Sequence, residues 1–206
     1  MSGSTPEARE HWVTTTHDWT LGVDEEHLAQ VRADPRHAVG GVEHLVLEVL
    51  AYADEEAESQ GRVGHVVVTR HDDGSVSVAD DGRGTDTRFD DAGRPVRKPV
   101  MATKDVRFFD ATEPPVLPDG LARHGMSTVA ALSTWLEHTN RRRDGSWTQR
   151  YEHGVPATEL VELPPSSGTG TTVRFRADPD LVGRSEVDGG ALHGFERLDV
   201  ELRDER

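Results

Sequence analysis

The sequence predicts an α/β two-layer sandwich, an α+β fold in which a mixed β-sheet carries its helices on one face. Two observations predict it. Apolar residues recur every three or four positions in two segments, as in amphipathic helices, whereas strand-forming residues dominate four other short segments. The order along the chain is helix, paired strands, glycine-rich turn, long loop, helix and further strands, which is typical of helices layered on one face of a sheet.

Length and composition set the frame for this fold. The chain has 206 residues, which suits one domain and is long enough to bury a sizeable core. It holds 23 basic and 38 acidic residues, a net charge of −15, so its field repels a phosphate backbone and autonomous DNA binding is not expected. With no cysteine it has no disulfide, thiolate nucleophile or thiolate zinc site. Residues 1–12 lack the features of a signal peptide and no apolar run approaches the roughly 20 residues of a membrane span, so a cytoplasmic location is expected.

We divide the chain into three parts. Residues 1–22 are polar and form either a flexible arm or an edge strand. Residues 23–183 form the domain itself. The charged segment 184–206 has weak patterning and adds at most a last strand or helix.

The first elements of the domain are predicted to be two helices. Acidic residues lead into a short helix at residues 27–32, which Pro35 ends. A longer helix is expected at residues 42–58, where the apolar positions form one buried stripe, and Gly61 ends it.

A β-hairpin and a long loop are predicted next. Residues 63–69 and 75–79 have strand composition, and the residues between them have the turn chemistry of a hairpin. Residues 85–120 are rich in Asp, Arg, Pro and Gly and are predicted to form a long loop with one short helix or strand at residues 100–109. Loops of that length in a compact domain are usually functional or disordered.

The last part of the domain is predicted to return to the sheet. Residues 126–136 have strong helical character and are followed by a basic turn at residues 141–145. Strands are expected at residues 146–152 and 171–176.

Three residues of the long helix are spaced by four, so that their side chains lie along one face: Glu48, Tyr52 and Glu56. A solvated acidic face is the ordinary interpretation of such a row. Glu48 differs because it stands between Leu47 and Val49 within the apolar run, where a carboxylate is partly desolvated, as a general base often is. Spacing alone leaves both interpretations open.

A glycine-rich turn follows the second predicted strand at residues 80–84. Its glycines allow the backbone to turn tightly and to come close to a ligand. Asp80, at the end of the strand, can accept a hydrogen bond from the exocyclic amino group of a base. A solvated turn aspartate is the alternative.

A second glycine-containing segment leads into the predicted helix at residues 126–136. Between Gly120 and Gly125, it places Arg123 and His124 where backbone amides, cationic side chains and the helix dipole attract phosphate. An ordinary helix cap is the alternative.

In order and spacing, these segments resemble the motifs of the ATP-binding domain of the DNA gyrase B and topoisomerase IV family. Residues 41–49 resemble its first motif, a helix with the glutamate that activates water. Residues 76–84 resemble the second, in which the aspartate binds adenine, and residues 120–133 resemble the third, where the phosphates lie at a helix start. Residues 151–156 and 168–175 are similar to the family's later strands.

The resemblance covers residues 25–182 and implies the GHKL architecture, or Bergerat fold, with ATP as the ligand. The site residues that it implies are Glu48 as the general base, Asp80 as the adenine-binding carboxylate with Thr171 joined to it through water, Arg83 along the adenine edge paired with Glu56, Gly84 close to the nucleotide, and Gly120 and Gly125 beside the phosphates.

The sequence departs from the family's pattern at the metal. Tyr52 stands where the family has an asparagine that binds magnesium, and a phenol is a poor ligand for this hard cation, which makes Mg²⁺ a doubtful cofactor. Thr85 and Asp86 replace an isoleucine and a proline beneath the adenine. Arg123 can replace part of the missing positive charge, with His124 beside it. No metal ligand is assigned.

We therefore predict an ATP-binding domain of the gyrase B type with weak or no hydrolysis. Two alternatives stay open. One is a metal-free pocket that binds or transforms another small molecule, and the other is a regulator or decoy that pairs with a type II topoisomerase subunit. A homodimer is also possible on the family pattern. The 206 residues contain no counterpart of the family's transducer and toprim domains, so strand passage by this chain alone is not expected.

Overall fold

The computed structural model describes residue 17 and residues 22–85, 88–93, 95–96, 99–183, 186–187 and 189–206. The arm predicted at residues 1–22 lies outside the described residues except for His17 and Gly22, and Asp86 also lies outside them.

A mixed eight-stranded sheet forms one layer of the described domain. Its strand order is β10-β1-β2-β9-β5-β6-β7, with β8 also paired to β6. The β1–β10 pair is parallel and the other pairs are antiparallel. A separate two-stranded ribbon consists of β3 and β4. The strands are β1 (Gly64–His71), β2 (Val76–Asp80), β3 (Arg88–Phe89), β4 (Pro95–Val96), β5 (Ser133–Arg142), β6 (Gly145–Glu152), β7 (Val155–Pro156), β8 (Val161–Glu162), β9 (Gly170–Ala177) and β10 (Leu198–Glu205).

Helices form the second layer, and the core lies between the two layers. Side chains of α2 and of the sheet, such as Leu45, Leu50, Val66 and Phe175, are at most 1% exposed. This arrangement confirms the predicted α/β two-layer sandwich. The α-helices are α1 (Glu25–Ala33), α2 (Gly41–Ser59), α3 (Val106–Phe109) and α4 (Met126–Ala131), and short 3-10 helices lie at Pro35–Ala38, Pro99–Met101 and Ala191–Gly194. None of the helices in the described part of the chain combines the length and apolar character that crossing a bilayer requires.

Local sequence signals explain the first helices. The carboxylate of Asp24 caps α1 by accepting the backbone N–H of His27, and two glutamates occupy the first turn, where the helix dipole favours negative charge. The apolar stripe of α2 faces the sheet, and this helix ends just before Gly61, whose φ is +64°. Both predicted helices and the β1–β2 hairpin are confirmed.

The helix predicted at residues 126–136 is wrong in its second half. α4 ends at Ala131 and β5 begins at Ser133. Residues after this point pair on both sides: Leu136 lies opposite Tyr151 of β6 and Phe175 of β9, and its side chain has no exposed surface. Pairing within the sheet interior therefore outweighs the local helical preference of this segment.

The described residues of the segment predicted as a long loop at residues 85–120 hold only short elements: the β3–β4 ribbon, a 3-10 helix and α3. They nevertheless contribute to the core, because Met101 is 2% exposed and Phe108 is 5% exposed. The C-terminal segment supplies β10, which lies at the edge of the sheet beside β1.

Candidate functional site

A cavity of about 190 Å³ lies between α2 and the sheet. This volume is below the roughly 300–1,000 Å³ of sites that enclose a drug-sized ligand, so the cavity suits a planar ring rather than a whole nucleotide. Its apolar walls come from the helix, three strands and the long loop, and polar groups lie at its rim. The lining residues are Val49, Tyr52, Ala53, Glu56, Val78, Asp80, Gly84, Thr85, Val100, Met101, Met126, His138, Thr171 and Val173.

Asp80 ends β2 and lines this cavity. Its Oδ1 accepts the backbone N–H groups of Gly82, at 2.8 Å, and of Thr171, at 3.2 Å. Burial raises the pKa of Asp80, and these two hydrogen bonds partly oppose the effect. Within the described part of the chain, Oδ2 accepts no hydrogen bond, so the side chain retains an acceptor for a ligand.

The glycine-rich turn is joined to β5 by close packing and hydrogen bonds. Gly84 has a φ of +76°, and a Cβ atom there would lie 2.5 Å from the carbonyl oxygen of Arg141, so only glycine fits. The backbone N–H of Thr85 donates to Oδ1 of Asn140, at 2.6 Å, and Nδ2 of Asn140 donates to the carbonyl oxygen of Thr85, at 2.9 Å. These contacts hold one wall of the cavity in place.

Arg83 and Glu56 form a two-bond ion pair beside the cavity. Nε of Arg83 lies 2.8 Å from Oε1 of Glu56, and Nη2 lies 3.0 Å from Oε2. Hydrogen bonding from Arg83 lowers the pKa of Glu56. Because Arg83 is 60% exposed, the pair contributes little to stability, but it fixes both side chains.

Glu48 is fully buried under the start of α4 rather than at the cavity. Its Oε1 accepts the backbone N–H of His124, at 2.5 Å, and its Oε2 accepts that of Gly125, at 2.8 Å. The carboxylate therefore occupies the amides that the sequence predicts for phosphate.

Two histidines and a second carboxylate surround Glu48. Nε2 of His44 lies 3.5 Å from Oε1 of Glu48, and Nδ1 of His44 lies 2.6 Å from Oδ2 of Asp119. Nδ1 of His124 lies 3.8 Å from Oε1 of Glu48. Burial would lower the pKa of His44, but hydrogen bonds to the two carboxylates outweigh it and raise that pKa. Burial lowers the pKa of His124 to about 4.

The hydroxyl group of Tyr52 makes two hydrogen bonds. The hydroxyl donates to Oδ2 of Asp105 and accepts the backbone N–H of Met126, both at 3.4 Å. Burial raises the pKa of the phenol, which stays neutral. The guanidinium of Arg123 lies 4.7 Å from the centre of the Tyr52 ring and bonds to Glu55, so it is directed away from the cavity.

The predicted site residues thus fall into separate groups. At the cavity lie Tyr52, Glu56, Asp80, Gly84 and Thr171, with Arg83 bonded to Glu56. In the buried cluster lie Glu48, His124 and Gly125. Arg123 lies against Glu55, and Gly120 lies in the turn beside Asp119.

Sequence reasoning missed several residues of both groups. Met101 and His138 line the cavity, but neither stands in a recognisable motif. His44 lies one helical turn before Glu48, and this i,i+4 spacing of two polar residues in an apolar run was a signal that could have found it. Asp119 had no such signal, because the chain brings it to His44 from 75 residues away.

Curated proteins similar to this chain are B subunits of DNA gyrase and of DNA topoisomerase 4. The chain is 34% identical over 202 aligned positions to the B subunit of DNA gyrase from Haloferax volcanii, covering 88% of the chain and 31% of that protein. It is 38% identical over 161 positions to the B subunit of DNA gyrase from Mycolicibacterium smegmatis, covering 76% of the chain and 24% of that protein. This chain belongs to the DNA gyrase B and topoisomerase IV B family.

A topoisomerase IV protein gives the same result. The chain is 31% identical over 185 positions to the B subunit of DNA topoisomerase 4 from Bacillus subtilis, covering 87% of the chain and 27% of that protein. The chain spans less than a third of the length of these gyrase B and topoisomerase IV B relatives. No family model matches it. The family and the GHKL fold predicted from the motifs are confirmed.

Proposed function

We propose that this chain is a nucleotide-binding domain of the gyrase B type, which binds the adenine base of ATP in the cavity beneath α2 and hydrolyses ATP slowly or not at all. The observation that carries the proposal is Asp80, a carboxylate that retains an acceptor oxygen at an apolar cavity of the size of a planar ring. Family membership supports ATP as the ligand.

The cavity has the chemistry of an adenine site. A carboxylate accepts hydrogen bonds only, so Asp80 distinguishes the amino group of adenine from the carbonyl oxygen of guanine. Valine and methionine side chains, among them Val78, Val173 and Met101, offer apolar contact to the faces of the ring. Glu56 lines the cavity and is bonded to Arg83, the residue that the family resemblance places along the adenine edge.

The residues near Tyr52 do not fit the family's magnesium ion. The phenol is neutral, and its oxygen is already engaged by Asp105 and by the backbone of Met126. Hard cations prefer carboxylate, carbonyl and water oxygens. The proposed function therefore gives Mg²⁺ no role.

The position of Glu48 supports slow hydrolysis. As a general base it would take a proton from the water that attacks the terminal phosphorus, while the bond from that phosphorus to the leaving ADP oxygen breaks. Both carboxylate oxygens hold backbone N–H groups, so the segment before α4 must open before water reaches them.

The proposal is tested by calorimetric titration with ATP in magnesium and in EDTA, combined with a phosphate-release assay. We expect ATP to bind with similar affinity in both solutions, and we expect any residual turnover to be lost in Glu48→Gln. Glu58→Gln is the control, because Glu58 lies on the same helix and is 66% exposed. ATP binding that requires magnesium, or turnover that survives in Glu48→Gln, would contradict the proposal.

A second candidate function is binding of a different small molecule that carries no triphosphate. Glu48 occupies the amides of His124 and Gly125, and Nη1 of Arg123 is bonded to Glu55, so several of the groups that the sequence assigns to phosphate already have partners within the protein. Adenosine that binds as tightly as ATP would favour this candidate, whereas ATP that binds at least tenfold more tightly would exclude it.

A partner function is also open to test. The named relatives are subunits of topoisomerases, and the chain's net charge of −15 disfavours direct contact with DNA. A regulator or decoy of a type II topoisomerase would co-purify with one of its subunits, and a failure to do so would remove this candidate.

A further inference from the structure

The cluster around Glu48 lies outside the cavity in which we place the adenine ring. It consists of His44, Glu48 and His124. We propose that these three side chains form a binding site for a borderline divalent transition-metal ion such as Zn²⁺, through two imidazole nitrogens and one carboxylate oxygen. This goes beyond the proposed nucleotide function and does not depend on nucleotide binding, but it engages the carboxylate of Glu48 that the proposed hydrolysis uses.

The distances suit a single ion. Three ligand atoms, one from each residue, all lie within 4.8 Å of one another. Oε1 of Glu48 lies 3.5 Å from Nε2 of His44 and 3.8 Å from Nδ1 of His124. A tetrahedral zinc site with bonds of about 2.0 Å places neighbouring ligand atoms about 3.3 Å apart. The separations in the structure range up to 4.8 Å, so the two rings must turn toward the carboxylate for all three atoms to reach bonding distance when an ion binds.

A hydrogen bond to the carboxylate of Asp119 fixes the ring of His44, as carboxylates commonly do for histidines that bind metals. A carboxylate accepts hydrogen bonds, so the 2.6 Å contact with Oδ2 of Asp119 puts the proton of His44 on Nδ1. In the metal-bound state Nε2 would carry no proton, and its lone pair would face the ion beside Glu48. Metal-binding histidines commonly donate their second N–H to a carboxylate in this way, which fixes the ring and raises its basicity.

His124 supplies a ligand atom that nothing else occupies. Among the residues that the structure describes, its buried Nδ1 has no hydrogen-bond partner. A proton shared by His44, Glu48 and Asp119 would leave this nitrogen unsatisfied, whereas a metal ion bonds to it.

The charge of the nearby carboxylates and the partial exposure of His124 also favour binding of a divalent ion. The carboxylates of Glu48 and Asp119 together balance two positive charges in a buried place. His124 is 20% exposed, which gives an ion a route from solvent. Mixed imidazole and carboxylate ligands favour zinc, cobalt, nickel and copper over magnesium and calcium. Three protein ligands leave a fourth position for water.

The test uses the untagged protein after chelator treatment and dialysis. We expect one Co²⁺ per chain with the strong visible absorption of a four-coordinate site, and we expect Zn²⁺ to displace it. Asp119→Asn should weaken Zn²⁺ binding by about 10–100-fold, because it alters the group that orients a ligand. His124→Ala should abolish the visible bands.

Two controls isolate the site. His193→Ala removes an exposed histidine and should leave binding unchanged. Asp80→Asn should also leave it unchanged, so a failed nucleotide proposal and a failed metal proposal give different results. Circular dichroism of each metal-free variant checks folding. Wild-type protein without visible Co²⁺ bands would overturn the proposal, and so would equal Zn²⁺ affinity in His124→Ala and His193→Ala.

Discussion

The backbone N–H of Gly125 donates a 2.8 Å hydrogen bond to Oε2 of Glu48, a carboxylate with no exposed surface. The adjacent N–H of His124 donates to Oε1. Through these two bonds, the middle of α2 is joined to the start of α4. The residue that the family pattern marks as the general base is therefore also a structural link between two helices.

Replacing this carboxylate should destabilise the fold. Glu48→Gln keeps one acceptor but turns an NH₂ group toward a backbone N–H, so the free energy of unfolding should fall by about 1–3 kcal/mol. Urea denaturation measures the change. Glu58→Gln, an exposed change on the same helix, should stay within about 0.5 kcal/mol of wild type. Equal stability of the two variants would show that the buried bonds contribute nothing.

Tyr52 should determine whether ATP binding depends on magnesium. In Tyr52→Asn the side chain offers an amide oxygen, and we expect magnesium to strengthen ATP binding by roughly tenfold, about 1.4 kcal/mol. The variant should also lose stability, because the ring packs against the guanidinium of Arg123. Titration calorimetry with and without magnesium gives the answer. Tyr52→Phe keeps the ring and should gain no magnesium dependence, and the same gain in both variants would refute the role of the amide.

Mild acid should destabilise the domain through buried histidines. Burial lowers the pKa of His27 from 6.5 to about 4. Between pH 6.5 and pH 4 the unfolded chain binds a proton at His27 but the folded chain does not. The resulting loss of stability is absent above pH 6.5, grows as the pH falls and is complete below pH 4. Below pH 4 the full loss of stability amounts to about 3–4 kcal/mol.

Thermal or urea unfolding from pH 7 to pH 4 tests this effect. His27→Gln removes the titrating group while keeping a polar partner for Ser127, so its stability should fall less steeply than that of wild type. His193→Gln changes an exposed histidine and should follow the wild-type curve. Parallel curves for all three proteins would show that His27 does not carry the penalty.

Local patterns allowed much of the fold to be predicted. The apolar period of α2, the cap at Asp24 and the turn before β2 depend on neighbouring residues, so sequence order was sufficient to place them. The strand β5 was partly missed because its stability comes from pairing with β6 and β9, which lie elsewhere in the chain. His138, which lies on this strand, was missed for the same reason.

The candidate site was predictable in its composition but not in the direction of its side chains. Asp80 and Thr171 meet because adjacent strands bring them together, and the backbone N–H of Thr171 donates directly to Asp80, whereas the family resemblance implied a water between the two residues. Arg123 was assigned to phosphate by its position, yet its guanidinium bonds to Glu55. A sequence shows that a charge is present, whereas the competing partners that orient it come from distant segments.

ATP binding by Asp80→Asn compared with Asp81→Asn tests the adenine site most directly. The amide introduced by Asp80→Asn would keep an Oδ1 acceptor for Gly82 and Thr171. The substitution therefore mainly replaces Oδ2, the oxygen available to a ligand, with an NH₂ group that cannot accept a hydrogen bond. Asp81 is 47% exposed and pairs with Arg62 away from the cavity. By calorimetry, we expect Asp80→Asn to weaken ATP binding by about 10–100-fold, as for loss of a charged hydrogen bond, and Asp81→Asn to match wild type. Wild-type protein that does not bind ATP, or equal affinities in the two variants, would contradict an adenine site at Asp80.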